Sequence, residues 1–361
     1  MSDATNVDKR LVNRRKLLKG GMLAGGAAVV GAGLLNGGTS ALGQEAADPG
    51  NGSLSNSDVA ILRFLTAAEL IEADLWQQYA ELGGVSASNP YQAALSNLDG
   101  DAQQYISSNT TDEISHATFL NAYLASKGAR TVNFDRFRNL QGSTATGAQN
   151  IGRLTNLMDV VVDTSWYIRY RSTTNPDLGG TYPQAITIKN RPAIPRNDAD
   201  LNNPKLIQVL ANTAAFHFGT IEQGGSSVYA SLSRKVSNTE VLNITLSIGA
   251  DEVAHYLLWS DFASNAVKPP VAPVSDGQLT FPDFTTKGSL FQPNLIFPVP
   301  AHFISNTLPR CAVIRPITTA FGGARAAVNS LVNANLFKGQ PQEFIFELQT
   351  LANEADASAR S

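Results

Sequence analysis

The sequence predicts a mainly α-helical protein: an antiparallel four-helix bundle with a long insertion between its second and third helices and an irregular C-terminal extension. Three observations predict it. Four long stretches, 58–82, 101–127, 204–233 and 238–265, set Ala, Leu, Ile and Val at helical spacing. Each carries glutamate close to its midpoint. Two of them carry the same pentad, Asp-Glu-x-x-His, as "DEISH" at 112–116 and "DEVAH" at 251–255.

Ahead of the first helix, residues 1–43 read as an export signal. "NRRKLLKGG" pairs Arg14 with Arg15, and a Gly- and Ala-rich apolar run follows in "GGMLAGGAAVVGAGLLNGG". A basic head, a weakly apolar middle and small residues before a polar stretch make a secretory signal, and the paired arginines resemble the twin-arginine type. Cleavage is expected within 41–47, followed by a polar linker, so that signal and linker divide as 1–43 and 44–57.

The first helix, "DVAILRFLTAAELIEADLWQQYAEL", ends at Gly83 and Gly84, residues suited to a helix C-terminus. The second stops at Gly128. The third opens at Asn203 and Pro204, a capping side chain followed by a proline whose missing N–H is tolerated in the first turn. The fourth opens at "SNTE", where Ser237 and Glu240 have capping-box spacing. These helices place the bundle at 58–267.

The insertion, 129–202, contains "LTNLMDVVVDTSWYIRYRS", compatible with strand or helix, and a Pro/Asn-rich end that reads as loop. Beyond 268 the chain changes character. "KPPVAPVSDGQLTFPDF" and "FQPNLIFPVP" are punctuated by proline, which excludes long helices. A final helix is predicted over 341–356, closing an extension of 268–361.

Composition excludes several function classes. A net charge of -3 gives no basic footprint for nucleic acid. One cysteine, Cys311, excludes an internal disulfide and any thiolate cluster; it reads as a small buried hydrophobe without a role. After the signal no segment approaches the roughly 18 apolar residues of a membrane span, so the mature protein is expected to be soluble.

The pentads carry the chemistry. With 11 Glu and 4 His among 361 residues, random placement gives Glu-x-x-His about 0.1 times, yet it occurs twice. Residues three apart on a helix share a face, so Glu113 with His116, and Glu252 with His255, can each grip one ion. The further carboxylates of a dinuclear site must come from the other two helices. The third offers Glu222 in its middle, and the first offers Glu69 and Glu72. His217 and His302 lack partners at ligand spacing and read as structural, while Trp76, Tyr79 and Tyr229 read as core. Asp112 and Asp251 read as acceptors for a ligand histidine or as exposed residues, rather than as ligands.

The words "ELIEADLW", "DEISHATFL", "IEQGGSSVY" and "SIGADEVAHYLL" resemble those of ferritin-like di-metal carboxylate bundles, in particular the exported, desiccation-related type. The resemblance covers about 58–128 and 203–265. It implies a site of Glu113, His116, Glu222, Glu252 and His255 plus a glutamate of the first helix. Family spacing to a following aromatic favours Glu69, paired with Trp76. Internal comparison favours Glu72, because Glu72 and Glu222 each precede a tyrosine by seven residues. Glu69 is preferred, with Glu72 bridging, outside direct coordination, or on the next face.

Oxygen and imidazole donors suit two transition-metal ions, Fe or Mn. The expected function is an exported oxidoreductase of the ferroxidase, peroxidase or catalase type, located in the periplasm or cell envelope. Its expected partners are the twin-arginine export machinery and a small oxidant or iron substrate, with homo-oligomerisation left open. The alternative is a non-enzymatic, desiccation- or stress-related protein that is structural or sequesters metal.

Overall fold

The computed structural model describes residues 54–171, 182–286, 292–313 and 322–359. The signal read at 1–43 and most of the linker at 44–57 lie outside them. The described chain is mainly α. Its long helices are α1 (Asn56–Gly83), α3 (Ala102–Ser126), α5 (Ile207–Ser233) and α6 (Thr239–Ser264), with shorter α2 (Pro90–Leu98), α4 (Asp198–Leu201), α7 (Ala324–Asn333) and α8 (Gln342–Ala357). No helix among the described residues is long and apolar enough to cross a membrane.

Helix ends follow local chemistry. The Ser55 hydroxyl accepts the Asp58 N–H at 3.0 Å to start α1, and Asp58 also accepts the Ser237 N–H at 2.9 Å. One carboxylate thereby ties the beginning of α1 to the approach to α6. Helix α3 closes at Gly128, whose φ of 70° is the left-handed conformation glycine adopts without penalty. The Ala129 N–H turns back to the Leu124 carbonyl at 2.9 Å there.

Two predicted helix starts need correction. For α6 the capping residue is Asn238, whose side chain accepts from the N–H groups of both Glu240 and Val241. Glu240 is instead engaged by Lys127 and Tyr123, so the Ser237–Glu240 capping box does not form. Asn203 caps a separate turn, accepting from Lys205 and Leu206, and regular α5 begins at Ile207.

Helix α1 packs along α3, and α5 along α6. Their shared core is aromatic: Trp76 of α1, Phe218 of α5 and Trp259 of α6 have ring centroids 4.6–5.3 Å apart. Such contacts contribute about 0.5–1.5 kcal/mol each beyond the area they bury. Tyr79 meets the same group and donates or accepts a 2.7 Å hydrogen bond with His217 Nδ1.

Among the described residues the insertion contains short antiparallel pairs. Strand β1 (Leu140–Gln141) pairs with β2 (Gly152–Arg153), and β3 (Val160–Val162) with β4 (Ile188–Arg191). It is held on α1 by buried charge. Asp74 accepts the N–H groups of Leu154 and Thr155 at 3.0 and 2.9 Å and pairs with Arg138 at 2.7 Å, while Glu81 pairs with Arg153 at 2.5 Å. Trp166, in the 3₁₀ turn Ser165–Ile168, lies over Gly219 of α5, where an added Cβ would sit 2.4 Å from the indole.

In the extension, β5 (Val274–Ser275) and β6 (Thr280–Phe281) form another two-stranded pair. Cys311 is exposed, which corrects its reading as a buried hydrophobe. Helix α8 matches the predicted final helix, and it packs on α1 and α7. Asp356 near its end accepts the first N–H groups of α7, Ala324 and Arg325, each at 2.9 Å.

Candidate metal centre

The mid-helix glutamates of α1, α3, α5 and α6 converge. Glu69, Glu113, Glu222 and Glu252 are buried, as are His116 and His255. Glu69, Glu113, His116 and Glu252 each offer a ligand atom within 4.8 Å of the others. Glu113, Glu222, Glu252 and His255 do the same. The two groups share Glu113 and Glu252.

Both histidines direct Nδ1 inward. His116 Nδ1 lies 3.4 Å from Glu69, 3.5 Å from Glu113 and 3.7 Å from Glu252. His255 Nδ1 lies 3.2 Å from Glu113 and 3.3 Å from Glu222. The outward Nε2 atoms meet the aspartates of the opposite pentads: His255 meets Asp112, and His116 meets Asp251, both at 3.3 Å. Both aspartates are partly exposed. Asp112, Asp251 and His255 also stand within ligand distance of one another.

Two residues that sequence reasoning did not assign to the centre touch it, and a third holds one of them. The Asn109 amide donates to Glu113 at 2.7 Å and to Glu222 at 3.1 Å, and its oxygen accepts the Trp259 indole N–H at 2.5 Å. Tyr229, read only as core, donates its hydroxyl to Glu69. The signal was helical periodicity. Asn109 precedes Glu113 by four residues, Trp259 follows His255 by four, and Tyr229 follows Glu222 by two turns, so each shares a ligand's face.

Glu72 lies one turn from Glu69 but belongs to neither group. His217 is buried away from the groups against Tyr79, its imidazole pushed down to about 4 by burial. His302 is exposed.

The adjacent glycines of α5 have different jobs. A Cβ on Gly225 would lie 2.0 Å from Glu252 Oε2, so only glycine lets that carboxylate reach inward past α5. A Cβ on Gly224 would meet nothing within 4 Å. The helix runs through both without interruption.

Whether a cation fits is answered by the unpaired atoms. Glu69 Oε2, Glu113 Oε2, His116 Nδ1, Glu222 Oε2, both carboxylate oxygens of Glu252 and His255 Nδ1 are buried without a hydrogen-bond partner. Leaving one such polar atom unsatisfied costs about 1–3 kcal/mol, and here they face one another. A cation satisfies carboxylate oxygens and imidazole nitrogens together, so these clusters can hold metal ions.

Protons occupy the same role when no cation does. Burial pushes the carboxyls of Glu252 and Glu72 well above the carboxylate range, and the charge of Glu113 adds to it. Glu113 is raised to about 8, by burial and then by Glu222, against the opposing pull of the two nearby imidazoles. For His116 burial opposes the charged ring, but Glu113 and Glu69 outweigh it and lift the ring to about 10. His255 is also raised: burial again opposes, and Glu222, Asp112 and Glu113 prevail.

Compared with protein-family models, with curated proteins and with solved structures, the chain gave no match.

Proposed function

We propose that this chain is an exported ferritin-like protein of the desiccation-related type, whose four long helices form a di-metal carboxylate bundle acting on iron, O2 or peroxide. The observation that carries the reading is the sharing of Glu113 and Glu252 by two ligand groups. Shared carboxylates are what a pair of neighbouring ions requires. Glu69 and His116 would complete one ion's set, and Glu222 and His255 the other's. One Glu from each of two helices plus Glu-x-x-His from each of two others is the di-metal bundle arrangement.

Four carboxylates balance two divalent cations, and the oxygen and imidazole donors favour Fe or Mn. When bound, such a pair supplies Lewis acidity and redox equivalents. The protein's own groups prepare the place. Asp112 and Asp251 lie 3.3 Å from the Nε2 atoms, and with a cation bound they would hold the protons there and leave the inward Nδ1 atoms as lone-pair donors. Asn109 holds Glu113 and Glu222, and Trp259 fixes which way its amide points. The Trp76–Phe218–Trp259 stack walls the interior with apolar surface.

Export rests on Arg14, Arg15 and the Gly-rich run after them. The twin-arginine route carries folded protein, which allows the metal to be acquired before export. Protein purified after native export, analysed for elements, tests the reading. Close to two Fe or Mn ions per chain is expected, with turnover of ferrous iron or peroxide. A chain that carries no transition metal and takes none up removes the reading; one that holds metal without turnover favours sequestration over catalysis.

A further inference from the structure

A small cavity of about 70 Å³ lies beside the centre, with α1 and α5 on one side and α7 and α8 on the other. Most of its wall is hydrocarbon, from Phe64 and Ile71 of α1, Ile221 and Val228 of α5, Leu331 of α7 and Leu348 of α8. Glu69, Gly225 and Tyr229 line it as well. These residues supply or adjoin the ligands: Glu69 belongs to one ligand group, Tyr229 donates to Glu69, and Gly225 lies against Glu252.

Size limits the occupant. A single water needs about 10–15 Å³ of such space, whereas a cavity of about 150 Å³ admits benzene. This one falls between them, with room for a molecule of two or three heavy atoms and not for a carbon chain.

Chemistry limits it further. Gln223 donates to Ser227 at 2.7 Å, and Asp163 accepts from Ser165 and Gln184. Thr220 donates to backbone carbonyls and accepts the Trp166 indole N–H at 3.0 Å, while Tyr229 is committed to Glu69. The unpaired oxygens of Glu69 and Glu72 are enclosed by protein and do not reach the space. A buried water makes about 2–4 hydrogen bonds, and apolar cavities stay dry for want of them. An uncharged gas needs no such partner. Gly224 helps to keep the space open, since it lines the cavity where a Cβ would meet nothing within 4 Å.

A second hollow, a groove along β3, β4 and α7, shares Asp163, Thr220, Ser330 and Ala334 with the cavity. Those four residues form the partition between the cavity and the groove.

We infer that the cavity holds one molecule of dioxygen, which crosses the partition from the groove and rests against Glu69. The size and the apolar wall point to a small gas; its identity as dioxygen rests on the di-metal reading. The extension from 268 onward then has a task, because α7 and α8 supply one wall of the site.

Xenon, an apolar atom that needs no hydrogen-bond partner, is the probe. Its binding is followed by xenon NMR in the full mature chain, both metal-loaded and chelator-treated, with metal content measured on the same samples. One saturable xenon per chain is expected in both states. Val228→Phe fills the cavity from α5 and should abolish that binding without altering metal content; Ala327→Leu fills it from α7 and serves if the first fails to fold. In protein loaded with ferrous iron the same variants should raise, several-fold, the O2 concentration that gives half-maximal oxidation. Ser330→Phe thickens the partition and should slow xenon exchange while occupancy is kept. Absence of saturable xenon binding, binding indifferent to both filling variants, or an unchanged O2 dependence overturns the inference, and unchanged exchange in Ser330→Phe overturns the route. Intact xenon binding in a chain that takes up no metal overturns the di-metal reading and the assignment to dioxygen, leaving a site for a small gas.

Discussion

Asp112 of α3 holds His255 of α6, its carboxylate 3.3 Å from the outward ring nitrogen. The reciprocal pair, Asp251 to His116, repeats the distance. Each pentad therefore orients the histidine of the other, which explains why the aspartate recurs with the Glu-x-x-His.

Removing that orientation should weaken metal without destroying the fold. Loss of such an outer partner typically costs about 10–100-fold in affinity. Asp112→Ala and Asp251→Ala should each fall in that range, by competition against a chelator of known affinity, with unchanged far-ultraviolet dichroism. Unaltered affinity in both would show the aspartates to be ordinary rim residues.

Shared and unshared glutamates should differ in stoichiometry. Glu113→Ala or Glu252→Ala removes a ligand from both groups and should reduce metal content toward zero. Glu69→Ala or Glu222→Ala touches one group each and should leave about one ion per chain, as the two-group arrangement requires. Elemental analysis decides it, and equal losses in all four variants would contradict the sharing.

The pH dependence should invert on metal binding. In the metal-free protein Glu113 is raised from 4.5 to about 8, and His116 from 6.5 to about 10. Groups raised on folding add stability below their unfolded values and lose it as pH rises through the folded ones. The chelated protein should thus become less stable from about pH 5 upward. A cation favours ionised carboxylates and neutral rings, which reverses the sign, so the metal-dependent gain in Tm should grow from pH 5 to 8 and binding at neutral pH should release protons. Melts with and without chelator, and proton release in weak buffer, test both statements. Parallel melting curves would refute them.

The adjacent glycines give a paired test. Gly224→Ala meets open space and should stabilise the protein by up to about 1 kcal/mol. Gly225→Ala drives a methyl against Glu252 and should lower both Tm and metal affinity. Equal effects in thermal melts would mean that Glu252 does not depend on the close approach.

Export gives the last. Arg14→Lys with Arg15→Lys should strand precursor in the cytoplasm. Fractionation with an antibody would reveal it, and normal export would refute the signal reading.

Much of this was legible in the sequence because the long helices carry their own punctuation. The predicted 58–82 and 238–265 differ from the observed Asn56–Gly83 and Thr239–Ser264 by one or two residues at each end. Helix α2 was missed although Asn89 and Pro90 mark its start, since nine residues are too few for periodicity to speak. The short strands of the insertion depend on distant partners, such as Asp74 gripping Leu154 and Thr155, and local pattern contains no trace of them. Between Glu69 and Glu72 the sequence was undecided because residues three apart both point toward one broad face. Among the described residues Glu69 joins a candidate ligand group and Glu72 joins none.

Glu252 belongs to both ligand groups and lies far along the chain, after the insertion and three of the four long helices. During synthesis, a nascent chain that has emerged only as far as α5 possesses neither complete set. A centre built from both groups would therefore have to wait until α6 has left the ribosome and folded against its neighbours, so a filled centre would mark a chain made past Ser264, with α7 and α8 still to follow.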